Sequence, residues 1–433
     1  MSVRALRGSI LHCLRDPGDD PSLDGPAVEF WADGLLVIEN GHVAQLGDAQ
    51  MLSENLGDDV PVDHYADGLI VPGLVDCHVH YPQTNVIASF GTQLLDWLNT
   101  YTFPAEAAFV DATIAQETAK FFIEELLRNG TTTALVFATV HAHSADALFE
   151  AATARSMRLA TGKVLMDRHC PDNLRDDPAS GYRESRALIE RWHGQDRLHY
   201  AITPRFAPTS SDEQLRLAGQ LAQEYPDVLV QTHLAENLDE VAWVHQLFPD
   251  ATTYLDVYQQ AGLLRERAVF AHCLHLHDDD YNAMATAGGA IAFCPTSNLF
   301  LGSGLFDLER ARAHNIRVGL GTDVGGGTSF SLLRTLGDAY KVLQLQQQSL
   351  NSLRGLYLAT LGGAESLYMD DRIGNFARGK EADCIVLTAG DDRLLQRRLA
   401  TASNAAEALF VQATLGDDRS VAATYILGER VED

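Results

Sequence analysis

The first feature of this sequence that could do chemistry is the spacing His78-x-His80. It stands in PGLVDCHVHYPQ, residues 72–83, behind a short apolar strand expected over residues 69–75. Alternate residues of a strand face the same side, so the two imidazoles can aim at one point. Two converging imidazoles are half of a site for a first-row metal. An ordinary strand with histidines on its polar face would show the same spacing, so the question is whether further ligands follow downstream. QTHLAEN brings His233 and, three residues on, Glu236. AHC brings His272, and GLGTDVGGG brings Asp323 with a Gly-rich turn behind it. Together they supply three histidine nitrogens and one carboxylate for a single metal, most simply Zn²⁺, one per chain, with iron as the other candidate. One further histidine and one glutamate are left for proton transfer.

Each of these polar residues ends an apolar run. After the first strand come TTTALVFATV, LATGKVLM, LHYAITPRF, VLVQTHLAE, RAVFAHCL, GAIAFCPTS and RVGLGTDV, which makes eight strands in all. Near-continuous apolar runs of this kind are buried on both faces of parallel sheets. Amphipathic helical stretches alternate with them. ATIAQETAKFFIEELLRNG closes on a glycine, as helix C-termini do, and SDEQLRLAGQLAQEY opens on the Ser and Asp that helix N-termini favour. Eight alternating strand–helix units over residues 71–370 predict an α/β fold, a TIM-type (β/α)8 barrel, in which chemistry sits at the C-terminal strand ends. Residues 1–70 and 371–433 read instead as short strands, one pair joined by an Asn40-Gly41 hairpin turn, and are expected to form one discontinuous β-sandwich domain. The acidic Pro/Gly-rich stretch 16–24 is a solvated loop with no assigned role. Residues 81–110, with Trp97, Tyr101 and Phe103, are far longer than an ordinary strand–helix loop and suit a lid or binding wall. SLLRTLGDAYKVLQLQQQSLNS reads as a long exposed helix.

Composition narrows the partners. A formal charge of −27 disfavours nucleic acid and anionic membranes and favours a neutral or cationic small ligand. No leader and no apolar run long enough to cross a bilayer is seen, so a cytoplasmic protein is expected. Cys13, Cys77, Cys170, Cys273, Cys294 and Cys384 fall singly, which suits reduced cysteines better than disulfides or a thiolate zinc site. His141-x-His143 and His275-x-His277 repeat the first spacing but lie past their strands without an accompanying acid. Asp167, Arg168 and His169 end the third strand with no diagnostic spacing. A paired-metal site would want a bridging lysine at the end of the fourth strand. That strand ends TPRFAP, with Arg205 in the place such a lysine would take, so one metal is expected.

PGLVDCHVH, the two later strand-end histidines and Asp323 resemble the amidohydrolase superfamily over nearly the whole chain. More narrowly, LLDWLNTYTFPAE, ITPRF, HLAEN, CPTSN and GLGTDVGGG resemble its members that deaminate purines. The resemblance implies a zinc-dependent hydrolytic deamination of guanine to xanthine and ammonia. It implies that His78, His80, His233 and Asp323 hold the metal and that Asp323 accepts a proton from its water. His272 would hydrogen-bond the attacking oxygen, and Glu236 would protonate the ring nitrogen beside the attacked carbon. With guanine as substrate, the Arg205 guanidinium would take oxygen-6 and nitrogen-7 as a fork, Phe206 would stack on the ring, and the Gln83 amide would meet a ring edge. Related deaminases or chlorohydrolases acting on adenosine-like, pterin or triazine rings are the alternative, and a non-enzymatic barrel scaffold is the remote one. A homodimer is expected from the resemblance alone.

Overall fold

The eight apolar runs form eight strands. They are Leu74–His80, Thr131–Phe137, Arg158–Gly162, Leu198–Pro204, Leu229–Leu234, Ala268–His272, Ala290–Phe293 and Arg317–Leu320, adjacent in chain order, with a short piece Val164–Leu165 paired to the fourth. From the third strand to the eighth the pairing is parallel. Backbone hydrogen bonds from Asp323 N to His78 O (2.9 Å) and from His80 N to Val324 O (2.9 Å) bring the end of the eighth strand back onto the first. The sheet is thereby nearly closed into the expected barrel. The computed structural model describes residues 3–91 and 93–432. By internal contacts the chain divides into two compact units: Cys77–Ile123 with Ala134–Phe330, and the remainder, which joins both chain ends to Glu124–Thr133.

The first strand departs from the expectation. Residues 69–75 are not one strand. Val62–Pro72 belongs to the sheet of the chain ends, and the barrel strand starts at Leu74. Pro72 has no N–H to donate, and a Cβ on Gly73 would fall 2.1 Å from Thr132 Oγ1, so only a glycine fits where the chain changes sheet.

In the barrel unit, local chemistry sets the helices that follow the strands. Asp177 caps Pro178–Trp192 in a reciprocal capping box, and Ser211 caps Asp212–Glu224 through its side chain to Gln214 N. The long stretch after the first strand folds into consecutive helical turns, Tyr81–Val86, Leu94–Trp97, Leu98–Thr102, Phe103–Ala107 and Ala108–Val110. Leu94, Trp97, Leu98 and Phe103 from these turns join Phe137, Met166, Phe206 and Leu301 in one buried apolar cluster. The insertion is therefore packed as a wall.

In the other unit, both chain ends meet in one seven-stranded sheet, bent at bulges. Val62–Pro72 runs parallel to Val3–Cys13 and antiparallel to Cys384–Leu387, so this strand ties the ends together. Leu6, Ile10, Leu36 and Ile70 bury one face with Cys384 and Tyr425, while Ala5, Leu35 and Val37 bury the other. The hairpin turn is as expected, with Asn40 at φ 50° and Gly41 at φ 83° between Val28–Glu39 and His42–Asp48. The acidic loop has a contact after all: Asp16 and Asp19 carboxylates lie 3.7 and 3.8 Å from the buried guanidinium of Arg354. The helix expected to be exposed is not. Leu332–Leu345 buries Leu332, Leu333, Leu336, Ala339, Val342 and Leu343, an i, i+3, i+4, i+7 stripe, and the glutamine run lies in the turn beyond it. All six cysteines are free thiols.

Close approach between the third and fourth barrel strands fixes what stands at their ends. A Cβ on Gly162 would fall 2.0 Å from Ala201 O, a backbone atom held in the barrel. Gly162→Ala should therefore destabilise the chain by about 1–3 kcal/mol, the ordinary cost of overpacking, read as a lower denaturant midpoint at unchanged slope.

Candidate active site

Every residue singled out for chemistry lies at the C-terminal end of a barrel strand. His78 and His80 end the first, Arg205 and Phe206 follow the fourth, His233 and Glu236 close the fifth, His272 is the last residue of the sixth, and Asp323 follows the eighth. Several residues there hold a left-handed backbone without being glycine, among them Ala235 (φ 50°), His272 (φ 71°), Cys273 (φ 56°) and Asp323 (φ 49°). Such conformations cost of order 1–3 kcal/mol each and persist only where the surroundings impose them.

The imidazoles converge. His80 Nε2 is 3.2 Å from His78 Nε2 and 3.2 Å from His233 Nε2. Asp323 Oδ1 is 3.3 Å from both His78 Nε2 and His80 Nε2. Atoms that each stand ~2.0–2.2 Å from one metal in a tetrahedron are separated by roughly 3.3–3.5 Å. The spacings seen here come close to that edge length. The ligand atoms of His78, His233, His272 and Asp323 also all lie within 4.8 Å of one another. His233 Nδ1 is 2.7 Å from Arg205 O, so it donates there and its Nε2 keeps a lone pair facing the cluster. Burial pushes the His80 imidazolium down to about 3, against the pull of Asp323, and holds His233 well below the ordinary range, with the neighbouring imidazoles adding to it. Neutral imidazoles are the form that binds metal. Burial alone would raise the Asp323 carboxyl, but His78 and the other imidazoles hold it well below the usual range, ionised. The donor set therefore fits one divalent metal.

His272 stands slightly apart. Its Nδ1 is 2.8 Å from Asn298 Oδ1, and its Nε2 faces Glu236 Oε2 at 3.4 Å and Asp323 Oδ2 at 3.8 Å. It sits between the two acids. Glu236 is buried, and desolvation, then repulsion from Asp323, pushes its carboxyl up to about 8. Ser303 donates to Glu236 Oε1 at 3.1 Å, and the Ser303 carbonyl is in turn held by His275 Nε2 at 3.0 Å. Behind it, Glu240 accepts from Glu236 N at 2.9 Å and Asn237 N at 3.1 Å, and from the Tyr254 hydroxyl at 2.7 Å.

Beside this cluster lies a cavity lined by His80, Gln83, Arg205, Phe206, Glu236 and Asp323, with Leu94, Trp97 and Leu98 as its apolar wall. Gln83 accepts from Gly325 N at 3.2 Å through its amide oxygen. Arg205 is fully committed on one side. Its Nη1 donates to both oxygens of Glu106, at 2.8 and 2.7 Å, and both side chains are buried. Glu106 comes from the long insertion, in YTFPAE, and was not singled out in the sequence. Among the described residues Arg205 Nε and Nη2 make no protein hydrogen bond, so the other edge of the fork remains for a ligand.

The second histidine pairs have structural work. His143 Nε2 meets Phe109 O at 2.7 Å, His275 serves Ser303 as above, and His277 caps the helix Asp278–Ala287. Asp167 accepts from Ser211 N at 2.6 Å, and the Arg168 guanidinium lies 4.7 Å above the Phe248 ring. Lys163, buried just past the third strand, is taken by Asp176 and by Glu184 at 2.8 Å. None of these groups joins the cluster of metal-ligand atoms.

A Cβ on Gly321 would fall 2.8 Å from His78 Cβ and 2.9 Å from Cys294 Sγ. Gly321→Ala must therefore shift His78 or the turn that carries Asp323. The variant should lose metal to a chelator at a concentration that the unaltered protein resists, by on the order of tenfold or more, measured as metal retained after dialysis.

The Amidohydrolase family matches residues 69–431. The chain is 51% identical to the guanine deaminase of Escherichia coli (strain K12), over 99% of this chain and 98% of the relative. The solved structure of E. coli guanine deaminase superposes with a TM-score of 0.96, covering 99% of both chains. Guanine deaminase from C. acetobutylicum, solved with guanine bound in its active site, is 28% identical and superposes with a TM-score of 0.89 over 100% of both chains. The chain belongs to the amidohydrolase family.

Proposed function

We propose that this chain deaminates guanine hydrolytically, giving xanthine and ammonia. One observation carries the reading: the free edge of the Arg205 fork, the Gln83 amide and the buried Glu236 line one cavity that opens directly beside the imidazole–carboxylate cluster. The 51% identity to a guanine deaminase over the full chain supports the same substrate.

His78, His80, His233 and Asp323 would hold the metal, with zinc as the candidate and iron the other: His80 stands 3.2–3.3 Å from each of the other three and Asp323 3.3 Å from His78, while His272, though within 4.8 Å of His78, His233 and Asp323, faces the opposite oxygen of Asp323 at 3.8 Å. When bound, such a metal acts as a Lewis acid and lowers the pKa of water in its open position. The chain's own residues do the rest. Asp323, kept ionised, takes the proton of the attacking water through the oxygen that faces His272. His272 orients that water from the opposite side and is itself fixed by Asn298. Glu236 is held largely protonated by its dry surroundings, so it can deliver a proton to the ring nitrogen beside carbon-2 and afterwards to the departing ammonia. Ser303 sets the direction of that carboxyl. Arg205 Nε and Nη2 match oxygen-6 and nitrogen-7, a pair of acceptors that adenine does not present. Phe206 and Trp97 line the same cavity and would give a flat ring an aromatic surface to pack on.

A guanine assay by ultraviolet absorbance tests the reading, with activity expected from the loaded enzyme and lost with a chelator. Metal analysis should give close to one ion per chain; two tightly held ions would contradict a single site. Glu236→Gln keeps the shape but cannot carry the proton, so turnover should fall by on the order of 10² or more at unchanged metal content. Near-normal turnover in this variant would remove Glu236 from the mechanism.

Arg205 is tested by lysine, since alanine would also strand the buried Glu106 carboxylate at about 3–5 kcal/mol. Arg205→Lys keeps the charge beside Glu106 and loses the fork, so guanine deamination should drop at least about tenfold. 2-Aminopurine, which lacks oxygen-6, should lose less. Equal proportional losses on both rings would mean that Arg205 only supports the barrel mouth.

A further inference from the structure

Glu106 does more than hold a neighbour still. It is buried, it comes from the insertion and not from a barrel strand, and its two oxygens share one nitrogen of Arg205. A guanidinium could be oriented by neutral acceptors alone. Backbone carbonyls and amide oxygens do so in many sites without the cost of burying a second charge. Here the carboxylate sits 3.4 Å from the Gln83 amide nitrogen as well, so it borders two of the groups that line the ligand cavity. Its charge reaches any ring held by Arg205, because a dry pocket screens poorly.

That charge matters for one comparison in particular. Guanine is neutral at neutral pH, whereas xanthine has an additional ring N–H and ionises near neutrality. Substrate and product share oxygen-6 and nitrogen-7, so a lone arginine would hold both and would hold the xanthine anion more tightly. An arginine already neutralised by a carboxylate offers the same hydrogen bonds without a net attraction for the anion. We infer that Glu106 is a specificity-determining residue that discriminates neutral substrate from anionic product, by cancelling the charge of Arg205 while leaving its fork free. The inference rests on the guanine reading above and adds to it a reason for product release.

The test measures inhibition by xanthine relative to hypoxanthine, which keeps oxygen-6 and nitrogen-7 but stays neutral over the same range. In the unaltered, metal-loaded enzyme the ratio of xanthine to hypoxanthine inhibition constants should rise as pH passes upward through the ionisation of xanthine. In Glu106→Gln, which keeps the shape and one acceptor, that rise should shrink, what Glu236 adds to it being common to both enzymes, and above the ionisation xanthine should bind on the order of tenfold tighter relative to hypoxanthine than in the unaltered enzyme. Glu106→Asp keeps the charge, so its ratio should follow the unaltered enzyme even if its turnover is lower. If Glu106→Gln shifts xanthine, hypoxanthine and the guanine KM by one common factor, Glu106 merely orients Arg205 and the inference is wrong. A ratio that stays flat or falls with pH in the unaltered enzyme overturns it as well, whether or not the variant folds. Failure of the guanine reading itself shows separately, as no guanine turnover by the unaltered enzyme, and removes this inference with it.

Discussion

The constraint on which the rest of this structure depends is the burial of Asp323 among imidazoles, two of which burial keeps from taking up a proton. Removed from water, His80 is pushed to about 3 and His233 well below its ordinary range, so neither supplies a counter-charge to the carboxylate. An ionised carboxylate in such a place needs a cation. Lone pairs of His78 and His233 and an oxygen of Asp323, each 3.2–3.3 Å from His80 Nε2, border a point where a divalent ion answers that need. The barrel's task is then geometric. Four strands must end within a few ångströms of one another, and the left-handed backbone at His272 and Asp323 re-aims two of them. Gly321 makes room for His78, which is why the turn that carries Asp323 begins with a residue lacking a side chain.

The carboxylates near this point are separated by environment into different acids. Asp323 faces His78 and His80 and stays ionised, whereas Glu236 is buried near a second negative charge and is pushed up to about 8. A pair whose proton affinities are driven apart is what a reaction needs that first removes a proton from water and then gives one to a leaving group. Glu240, behind them, is itself pushed up to about 7 by burial and then by Glu236, and it spends its oxygens on the Glu236 and Asn237 amides and the Tyr254 hydroxyl. It anchors the backbone from which Glu236 projects.

What the sequence made legible and what it hid follow from the range of the interactions. Strand-end histidines could be read because alternation within a strand is local, and because apolar runs announce parallel strands one by one. The change of sheet at Gly73 was hidden, since Leu69, Ile70 and Val71 look the same in either sheet and only the crowding against Thr132 separates them. The helix Leu332–Leu345 was misread because its polar residues and trailing glutamines drew attention from an apolar stripe. Glu106, Asn298 and Ser303 were hidden for a deeper reason. Each acquires meaning only from a partner about 25 to 100 positions away, and nothing in FPAE, PTSN or GSG states which partner that is. The available signals were the length of the insertion and the resemblance carried by LLDWLNTYTFPAE and CPTSN, which marked segments and not residues.

Arg205 shows how a guanidinium in a structural ion pair can keep an edge free for a ligand. A guanidinium has two usable edges, and Glu106 occupies only Nη1. Burying two charges brings little net stability compared with apolar side chains of the same size, so cohesion alone is a poor account of why the pair stands at the barrel mouth. Its effect on the free edge is a better one. With Nη1 fixed and the Phe103 ring 5.3 Å from the guanidinium carbon, the plane of the fork is set before any ligand arrives. A fork held in advance loses less freedom when a flat pair of acceptors meets it. The Arg205 carbonyl, meanwhile, fixes the tautomer of His233. One residue thus joins the free guanidinium edge that lines the cavity to an imidazole of the buried cluster, and displacing either end of that short chain disturbs the other.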